Sequence, residues 1–342
     1  MQATDAMVER PSNSSAIGVF LERLSVVREV GPLILLVVLA VAFFLVDRAF
    51  LSTMNVSNML TVVPTLGIMA LGMTLLMTSG EIDLSVGAVF GFCPVAMFIL
   101  YNQGVMAFEV AAGLVLVMAV LIGLANGLLV TKLHTSSFII TIGMMLVVRG
   151  VALYISNGFP QATWRVESWI KDVVVGQIAQ VGEFKLLSSL LWFIGLVIVL
   201  HFVLNNLRFG NWIMATGGNF RAARARGVDT DRVKIILFVL TALLAGFAGI
   251  MDSIRVESAY PIAGTGYELE IIAMVVIGGT LLYGGRGTIL GTVIGVFLLR
   301  TIRNGIIVVG VPGLAYNIFV GAIIIGMMVA HSMIERRQVG EG

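Results

Sequence analysis

The chain has 342 residues, of which 12% are charged and 58% are hydrophobic, with a formal net charge of +2 and a mean hydropathy of +1.03. An average soluble domain carries about 25% charged residues, and a soluble fold of this length cannot bury so much apolar surface in one core. The composition therefore excludes a soluble enzyme and a disordered scaffold. The small net charge also excludes a nucleic-acid binder, because it suits no polyanionic partner. The single cysteine, Cys93, excludes an intrachain disulfide framework.

Charged residues are missing from long stretches of the chain, and these stretches predict the membrane spans. A helix needs about 20 mainly apolar residues to cross ~30 Å of hydrocarbon, and the sequence lacks the alternating pattern of barrel strands. We therefore predict an all-α polytopic membrane protein with about ten transmembrane helices, of which the eighth and ninth are short. The predicted spans are 30–46, 57–77, 86–101, 106–130, 136–155, 186–204, 235–254, 268–284, 287–302 and 312–331.

The spans divide the chain into an N-terminal segment (1–29), a transmembrane domain (30–331) and a C-terminal tail (332–342). Two long loops interrupt the transmembrane domain. The loop at 205–234 holds six basic residues, whereas the equally long loop at 156–185 holds three. Because Lys and Arg are enriched in cytoplasmic loops, we expect 205–234 and both termini to be cytoplasmic and 156–185 to be external.

A polar break interrupts the apolar sequence between the second and third spans. The residues from Ser79 to Gly87 read S-G-E-I-D-L-S-V-G and include Glu81, Asp83 and Ser85. One interpretation is a tight turn that caps the next helix, with its acids favoured near the helix N-terminus. The other is a broken helix whose polar groups line a pathway, because ionisable groups at membrane depth usually face protein or a water-filled cavity.

A second polar break opens the eighth span, where Gly266, Tyr267 and Glu268 lie in the sequence A-G-T-G-Y-E-L-E. It could be an ordinary helix N-terminus with acids in its first turn. However, paired Gly-interrupted breaks in the two halves of a transporter indicate its binding site. The first break is expected near the inside and the second near the outside, which is the arrangement that an inverted repeat requires.

The third unusual segment lies in the predicted cytoplasmic loop and runs from 215 to 228. The stretch from Asn219 to Arg226 favours a short basic helix, with Asn219 as its cap and Gly227 as its stop. Such a helix could bind anionic lipid at the membrane surface or dock into a groove on a cytoplasmic partner. The residues alone leave these two interpretations equally open.

No pattern in the chain is typical of catalysis. The sequence contains no phosphate-binding G-x-x-x-x-G-K-[ST], no nucleophile elbow and no HExxH, and its three histidines have no metal-ligand spacing. We therefore predict a non-catalytic chain without a metal or cofactor of its own. Arg149 lies within a predicted span, where a structural role is favoured over contact with a substrate.

The same three segments resemble the permease subunit of ABC importers for monosaccharides, the ribose/xylose/arabinose-type permease family. The first break is close to the family pattern G-x-I-D-L-S-V-G. The other matching blocks are A-T-G-G-N at 215–219 with Ala222, Ala223 and Gly227, then 263–269, V-I-G-G-T at 276–280 and G-G-R-G at 284–287. The resemblance covers about 30–330, and the order and spacing of the blocks make it specific.

The resemblance implies a set of partners. These are a second permease chain, identical or related, two cytoplasmic ATP-binding subunits that hold ATP and Mg²⁺, an external sugar-binding protein and the lipid of the plasma (inner) membrane. It also implies that the third segment is the coupling helix that contacts the ATPase, through Gly218, Asn219, Arg221, Ala222, Ala223, Arg224 and Gly227. A broader importer pattern has E-A-A where this chain has Arg221-Ala222-Ala223.

Taken together, these features predict the permease of an ATP-driven importer that forms the translocation path for a monosaccharide. The expected path residues are Glu81, Asp83, Ser85, Gly266, Tyr267 and Glu268. One alternative is a secondary transporter in which the carboxylates of the two breaks carry coupling protons. Another is an ABC permease for a different solute, such as a nucleoside or a branched-chain amino acid.

Overall fold

The computed structural model describes residues 29–162 and 167–316, together with residues 318, 319, 321, 322, 325 and 326. The α-helices are α1 (Val30–Val46), α2 (Thr53–Thr78), α3 (Val86–Asn102), α4 (Phe108–Leu133), α5 (Ser137–Ile155), α6 (Trp169–Val175), α7 (Ser188–Asn206), α8 (Arg208–Gly218), α9 (Phe220–Ala225), α10 (Thr230–Val256), α11 (Tyr267–Ile277) and α12 (Ile289–Val308). The strands are β1 (Gln161–Ala162), β2 (Gln177–Val181), β3 (Phe184–Leu187) and β4 (Ser258–Ala259). Short 3₁₀ helices occupy Arg48–Leu51 and Gly313–Ala315.

These helices confirm the prediction of an all-α polytopic membrane protein. Six of them, α2, α4, α5, α7, α10 and α12, are long and apolar enough to cross a membrane. The helices α1 and α3 are apolar but shorter, with 17 residues each. Each of these eight helices overlaps one predicted span over most of its length.

The predicted eighth span, 268–284, is helical only in its first part. Helix α11 has 11 residues, so it is ~16 Å long at a rise of 1.5 Å per residue and crosses only about half of the hydrocarbon. It ends at Ile277 because Gly278 is followed by Gly279, which has a φ of +94° that continues no right-handed helix.

The last two predicted spans differ from the structure in other ways. The ninth span, predicted at 287–302, is longer than expected because α12 continues to Val308. The tenth span, predicted at 312–331, is described only in part, and residues 1–28 of the N-terminal segment and the tail at 332–342 lie outside the described residues. The described part of the tenth span begins with the 3₁₀ helix Gly313–Ala315.

Both long loops contain regular structure. The loop predicted at 205–234 holds α8, α9 and the first turn of α10, so it is mostly helical. The loop predicted at 156–185 holds α6, most of an antiparallel hairpin of β2 and β3, and β1, which pairs with β4. The two loops lie at opposite ends of the helical bundle.

One of these ends is distinctly basic, and we call it the basic end. It is formed by the C-terminus of α2, by α8 and α9, by the first turn of α10 and by the loop at 278–288. The basic side chains of these elements and of the nearby helix ends are Lys132, Arg208, Arg221, Arg224, Arg226, Arg232, Lys234 and Arg286.

The core of the bundle is built on α2 and α3. Every residue from Val63 to Ser79 and from Asp83 to Phe98 is buried, which is typical of helices that are apolar all round. In contrast, α5 exposes large apolar side chains such as Phe138, Ile139 and Leu146. The buried helices therefore form the interior, and α5 presents an apolar surface toward lipid or a partner.

Close packing of α4 on α10 depends on glycine. A Cβ atom at Gly123 would lie 2.6 Å from the carbonyl oxygen of Phe238 and 2.8 Å from the Cα of Val239. Gly113 lies ten residues earlier on α4, and no heavy atom lies within 4 Å of a Cβ atom placed there. Small residues let membrane helices approach closely, so Gly123 sets the distance between α4 and α10.

We expect Gly123→Ala to destabilise the protein, because the added methyl group pushes two backbones apart. Overpacking of this kind costs about 1–3 kcal/mol, whereas Gly113→Ala is expected to be neutral or slightly stabilising through helix propensity. Thermal unfolding of both variants in detergent measures the difference. Equal midpoints for the two variants would contradict this account of the α4–α10 contact.

Candidate functional site

The two polar breaks, predicted near opposite sides of the membrane, meet inside the bundle. A Cβ atom at Gly87 would overlap the carbonyl oxygen of Gly264 and the carboxylate of Glu268, and a Cβ atom at Gly264 would overlap the carbonyl oxygen of Gly87. We call this region, residues 83–87 and 263–268, the crossing. Only glycine allows the two backbones to approach so closely.

Helix lengths place the crossing well inside the bundle. From the crossing, α3 runs ~26 Å to one end and α11 runs ~16 Å to the basic end at 1.5 Å per residue, and together they match the length of α10, which spans the whole bundle. The N-termini of both short helices therefore face each other at depth. Each N-terminus carries a partial positive charge, which favours acidic or hydroxyl-bearing groups between them.

Asp83 forms local hydrogen bonds within the first break. Its Oδ1 atom accepts hydrogen bonds from the backbone N–H of Ser85 at 2.8 Å and from the Ser85 hydroxyl at 2.6 Å. The Asn126 amide donates to the Ser85 hydroxyl at 2.9 Å. All three side chains are buried, so in this conformation Asp83 and Ser85 satisfy each other and the turn that precedes α3.

Hydroxyl groups of α5 pair with two further backbone groups of the first break. The Thr141 hydroxyl accepts from the backbone N–H of Leu84 at 3.0 Å, and the Ser137 hydroxyl accepts from that of Ile82 at 3.3 Å. Non-helical backbone at membrane depth is tolerated only when its polar groups are paired. Sequence reasoning missed this role, although a Ser and a Thr one turn apart in an apolar helix were the available signal.

Glu81 lies at the basic end of the first break and forms an ion pair. Its Oε1 atom is 2.5 Å from the Nζ atom of Lys234, and the side chains are only 12% and 22% exposed. Lys234 lies in the second turn of α10. This pair therefore connects the first break to the helix that follows the basic segment at 219–227.

Arg149 holds the second break in place. Its Nη1 atom donates to the carbonyl oxygen of Pro261 at 3.0 Å and to that of Ala263 at 2.5 Å. Two backbone carbonyls of a non-helical segment are thereby satisfied by a side chain of α5. Arg149 thus makes structural contacts in this conformation, and its hydrogen-bond partners are backbone carbonyls.

Glu268 and Tyr267 form the start of α11 at the crossing. The Oε1 atom of Glu268 accepts from the backbone N–H of Gly266 at 3.1 Å, and its buried Oε2 atom has no hydrogen-bond partner among the described residues. The Tyr267 ring packs edge-on against Phe90 of α3, with centroids 5.3 Å apart. Glu268 is therefore the crossing carboxylate with spare hydrogen-bonding capacity.

A buried charged cluster lies two residues further along α11, at Glu270. The Glu270 carboxylate accepts from the Tyr316 hydroxyl at 2.6 Å and lies 3.7 Å from Arg300 and 4.0 Å from Arg303. Arg300 is only 6% exposed. Sequence reasoning missed this cluster because its members come from three separate segments of the chain.

The basic end contains the predicted short helix. Helix α9 begins after Asn219, whose side-chain oxygen accepts from the backbone N–H of Ala222 at 3.0 Å, and Gly227 follows it with a φ of +85°. The predicted cap and stop are confirmed. Ala223 packs inward, while Arg221 and Ala222 are exposed.

The arginine side chains of α9 are arranged differently from one another. Arg224 forms an ion pair with Asp231 and donates from Nε to the Thr230 hydroxyl at 2.8 Å, so it ties α9 to α10. Arg221 lies over the ring of Phe220, 5.8 Å from its centroid. Gly218, directly before the cap, packs against the backbone of Gly285.

Comparison with known proteins identifies the family to which the chain belongs. Residues 55–328 match the family described as branched-chain amino acid transport system / permease component. The chain is 37% identical over 298 residues to the ribose import permease protein RbsC of Escherichia coli K12, covering 87% of this chain and 91% of RbsC. No solved structure gave a significant match.

Two further relatives are of similar length. The chain is 35% identical over 308 residues to RbsC of Bacillus subtilis, covering 88% of this chain and 91% of that protein. It is 33% identical over 304 residues to the xylose/arabinose import permease protein XylH of Sulfolobus acidocaldarius, covering 86% of this chain and 82% of XylH. The chain therefore belongs to the family of ABC-importer permease components, and it is a multi-pass inner-membrane protein.

We expect Asp83→Ala to destabilise the first break, because it leaves the buried N–H of Ser85 without its acceptor. The loss is about 1–3 kcal/mol for a buried unpaired donor. Asp83→Asn keeps an oxygen that can accept from Ser85, so its thermal unfolding midpoint should stay closer to that of the unmodified protein. If both variants unfold alike, the hydrogen bonds to Asp83 do not stabilise the break.

Proposed function

We propose that this chain is the permease subunit of an ATP-driven importer and forms the translocation path for a monosaccharide. The observation that carries the proposal is the crossing, in a chain whose relatives over most of its length are named as ribose and xylose/arabinose import permeases. The chain itself is a non-catalytic subunit, and ATP and Mg²⁺ belong to a separate ATP-binding partner.

The translocation path is proposed to pass through the crossing. Opening the crossing would part the N-termini of α3 and α11 and uncover Asp83, Ser85 and Glu268 to a solute. Carboxylates and backbone groups at helix N-termini bind hydroxyl groups well, and a sugar would replace the hydrogen bonds that these groups make to each other. Gly266, Tyr267 and Glu81 border the same path on its two sides.

The basic end is proposed to face the cytoplasm, because Lys and Arg are enriched on that side of membrane proteins. Both termini would then be cytoplasmic, and the β2–β3 hairpin would face an external sugar-binding protein. The coupling helix is α9, with Gly218 and Gly227 at its ends. Its position beside α10 and the Glu81–Lys234 ion pair supports transmission of movement from an ATPase to the first break.

The import mechanism requires that the ATPase favour one conformation of the permease. A partner shifts such an equilibrium only by its difference in affinity for the two states. The contact at α9 must therefore differ between the states, and movement of α9 reaches α10 through the bonds of Arg224 to Asp231 and Thr230. A second permease chain would complete the path.

The first test is to purify the tagged chain gently from its native membrane and identify its partners by mass spectrometry. We expect an ATP-binding subunit in stoichiometric amount, and the complex in proteoliposomes should take up labelled ribose or xylose with ATP and the external binding protein. A chain that purifies alone and transports under an ion gradient without ATP would overturn the proposal.

The same vesicles test the solute. We expect unlabelled pentoses to compete with uptake and branched-chain amino acids not to compete. The amino-acid control is chosen because the description of the matched family names branched-chain amino acids. Competition by leucine or valine, with ATP dependence intact, would keep the importer class and replace the sugar by an amino acid.

We expect Gly227→Val to weaken association with the ATP-binding subunit. A β-branched residue disfavours the φ of +85° at this position by about 1–2 kcal/mol, so the end of α9 should distort. Gly182→Val is the matched control, because Gly182 also has a positive φ of +61°, no heavy atom lies near its missing Cβ, and it lies in the hairpin at the opposite end. Equal co-purification of the ATPase with both variants would argue against α9 as the docking helix.

A further inference from the structure

Tyr283 is the most exposed of the large apolar and aromatic side chains that the structure describes, at 92%. It lies in the loop at 278–288, at the basic end, between α11 and α12. Neither the crossing nor the coupling helix uses this side chain. Tyrosine is among the side chains that are enriched at protein interfaces and contribute most to binding.

The backbone around Tyr283 is fixed although its side chain is free of contacts. The N–H of Gly285 donates to the carbonyl oxygen of Thr78 at 2.8 Å, and the N–H of Leu281 donates to the carbonyl oxygen of Arg286 at 3.1 Å. We call residues 281–286 the Tyr283 turn. Since the turn is closed by its own hydrogen bond and bonded to α2, it presents Tyr283 in a defined position.

The Tyr283 turn packs directly on the segment that leads into α9. A Cβ atom at Gly284 would lie 2.7 Å from the Cα of Gly80 and 3.0 Å from the Cα of Gly217, and one at Gly285 would lie 2.8 Å from the Cα of Gly218. Gly218 is two residues before Phe220, so less than ~7.5 Å of chain separates this contact from the first residue of α9. A partner that binds α9 therefore lies beside the Tyr283 turn.

The side chains of this combined surface have one chemical character. Phe220 is 49% exposed with Arg221 beside its ring, and Tyr283 is followed by the exposed Arg286. Neither Arg221 nor Arg286 forms an ion pair within the described part of the chain. Aromatic residues and arginine are the side chains that contribute most to protein interfaces.

We propose that the ATP-binding subunit contacts the permease at two elements, α9 and the Tyr283 turn, and that its docking groove offers carboxylates to Arg221 and Arg286 and apolar pockets to Phe220 and Tyr283. This inference rests on the proposed function. The groove is acidic because the surface it receives is basic, and complementary charges fix register and partner choice. The occupant is a protein and not lipid alone, because the turn is continuous with the docking helix.

The test uses cysteine protection. Cys93 is the only cysteine and is fully buried, so Tyr283→Cys introduces a single reactive thiol at a position where no packing is lost. Labelling with a maleimide is followed in detergent, for the permease alone and for its complex with the co-purified ATP-binding subunit. We expect at least tenfold slower labelling of residue 283 in the complex.

The matched control is Tyr154→Cys. Tyr154 is also highly exposed, at 83%, and lies near the end of α5 that faces away from the basic end. Its labelling should be the same with and without the ATPase. A thiol at 283 that labels equally fast in both samples overturns the inference, and so does protection that appears only in lipid nanodiscs of the permease alone, which would assign Tyr283 to lipid.

Charge and aromatic variants give a second readout. Arg286→Glu and Tyr283→Ala are each expected to weaken binding of the ATPase about tenfold, whereas Arg286→Lys and Tyr154→Ala should bind normally. Unchanged binding of Arg286→Glu and Tyr283→Ala counts against the proposal. A different outcome is that the unmodified chain co-purifies with an ATPase while the thiol of the Tyr283→Cys variant is labelled equally fast in its own complex. In that case the importer function stands and only the second contact fails.

Discussion

Non-helical backbone inside a membrane must find a partner for every N–H and C=O group, and the structure depends on how the crossing meets this requirement. At the crossing, hydroxyls of Ser137 and Thr141, the carboxylate of Asp83 and the guanidinium of Arg149 take the place of water. Each unpaired group in hydrocarbon would cost several kcal/mol. The polar residues of the breaks and of α5 therefore act together to pair the non-helical backbone.

Features that depend on neighbouring residues could be predicted from the sequence. The spans and both breaks could be predicted, because absent charges and local clusters such as S-G-E-I-D-L-S-V-G are properties of neighbouring residues. The cap at Asn219 and the stop at Gly227 are equally local. In contrast, the end of α11 was predicted too late, at 284, because the apolar residues on both sides of Gly278 and Gly279 look like one continuous span, although this glycine pair is the local stop.

Contacts between distant segments of the chain could not be predicted from the sequence. Arg149 meets Pro261 and Ala263 over a separation of 112 and 114 residues, and Glu81 meets Lys234 over 153. No local pattern encodes such a pair, because many acids and bases are available and the fold decides which ones meet. The candidate site was therefore predicted as a set of residues, while its geometry and its supports from Asn126, Ser137 and Thr141 came only from the structure.

The two long-range links lie on opposite sides of the crossing. Lys234 ties the first break to α10 toward the basic end, and Arg149 ties the second break to α5 toward the other end. In the proposed mechanism, the Lys234 link would carry movement of α10 to the first break, and the Arg149 link would hold the second break on α5. A partner that moves α10 from the basic end would therefore act on the first break, while the second break stays held on α5. The glycine contacts among α2, the Tyr283 turn and the segment before α9 place the basic-end link within reach of any partner that docks there.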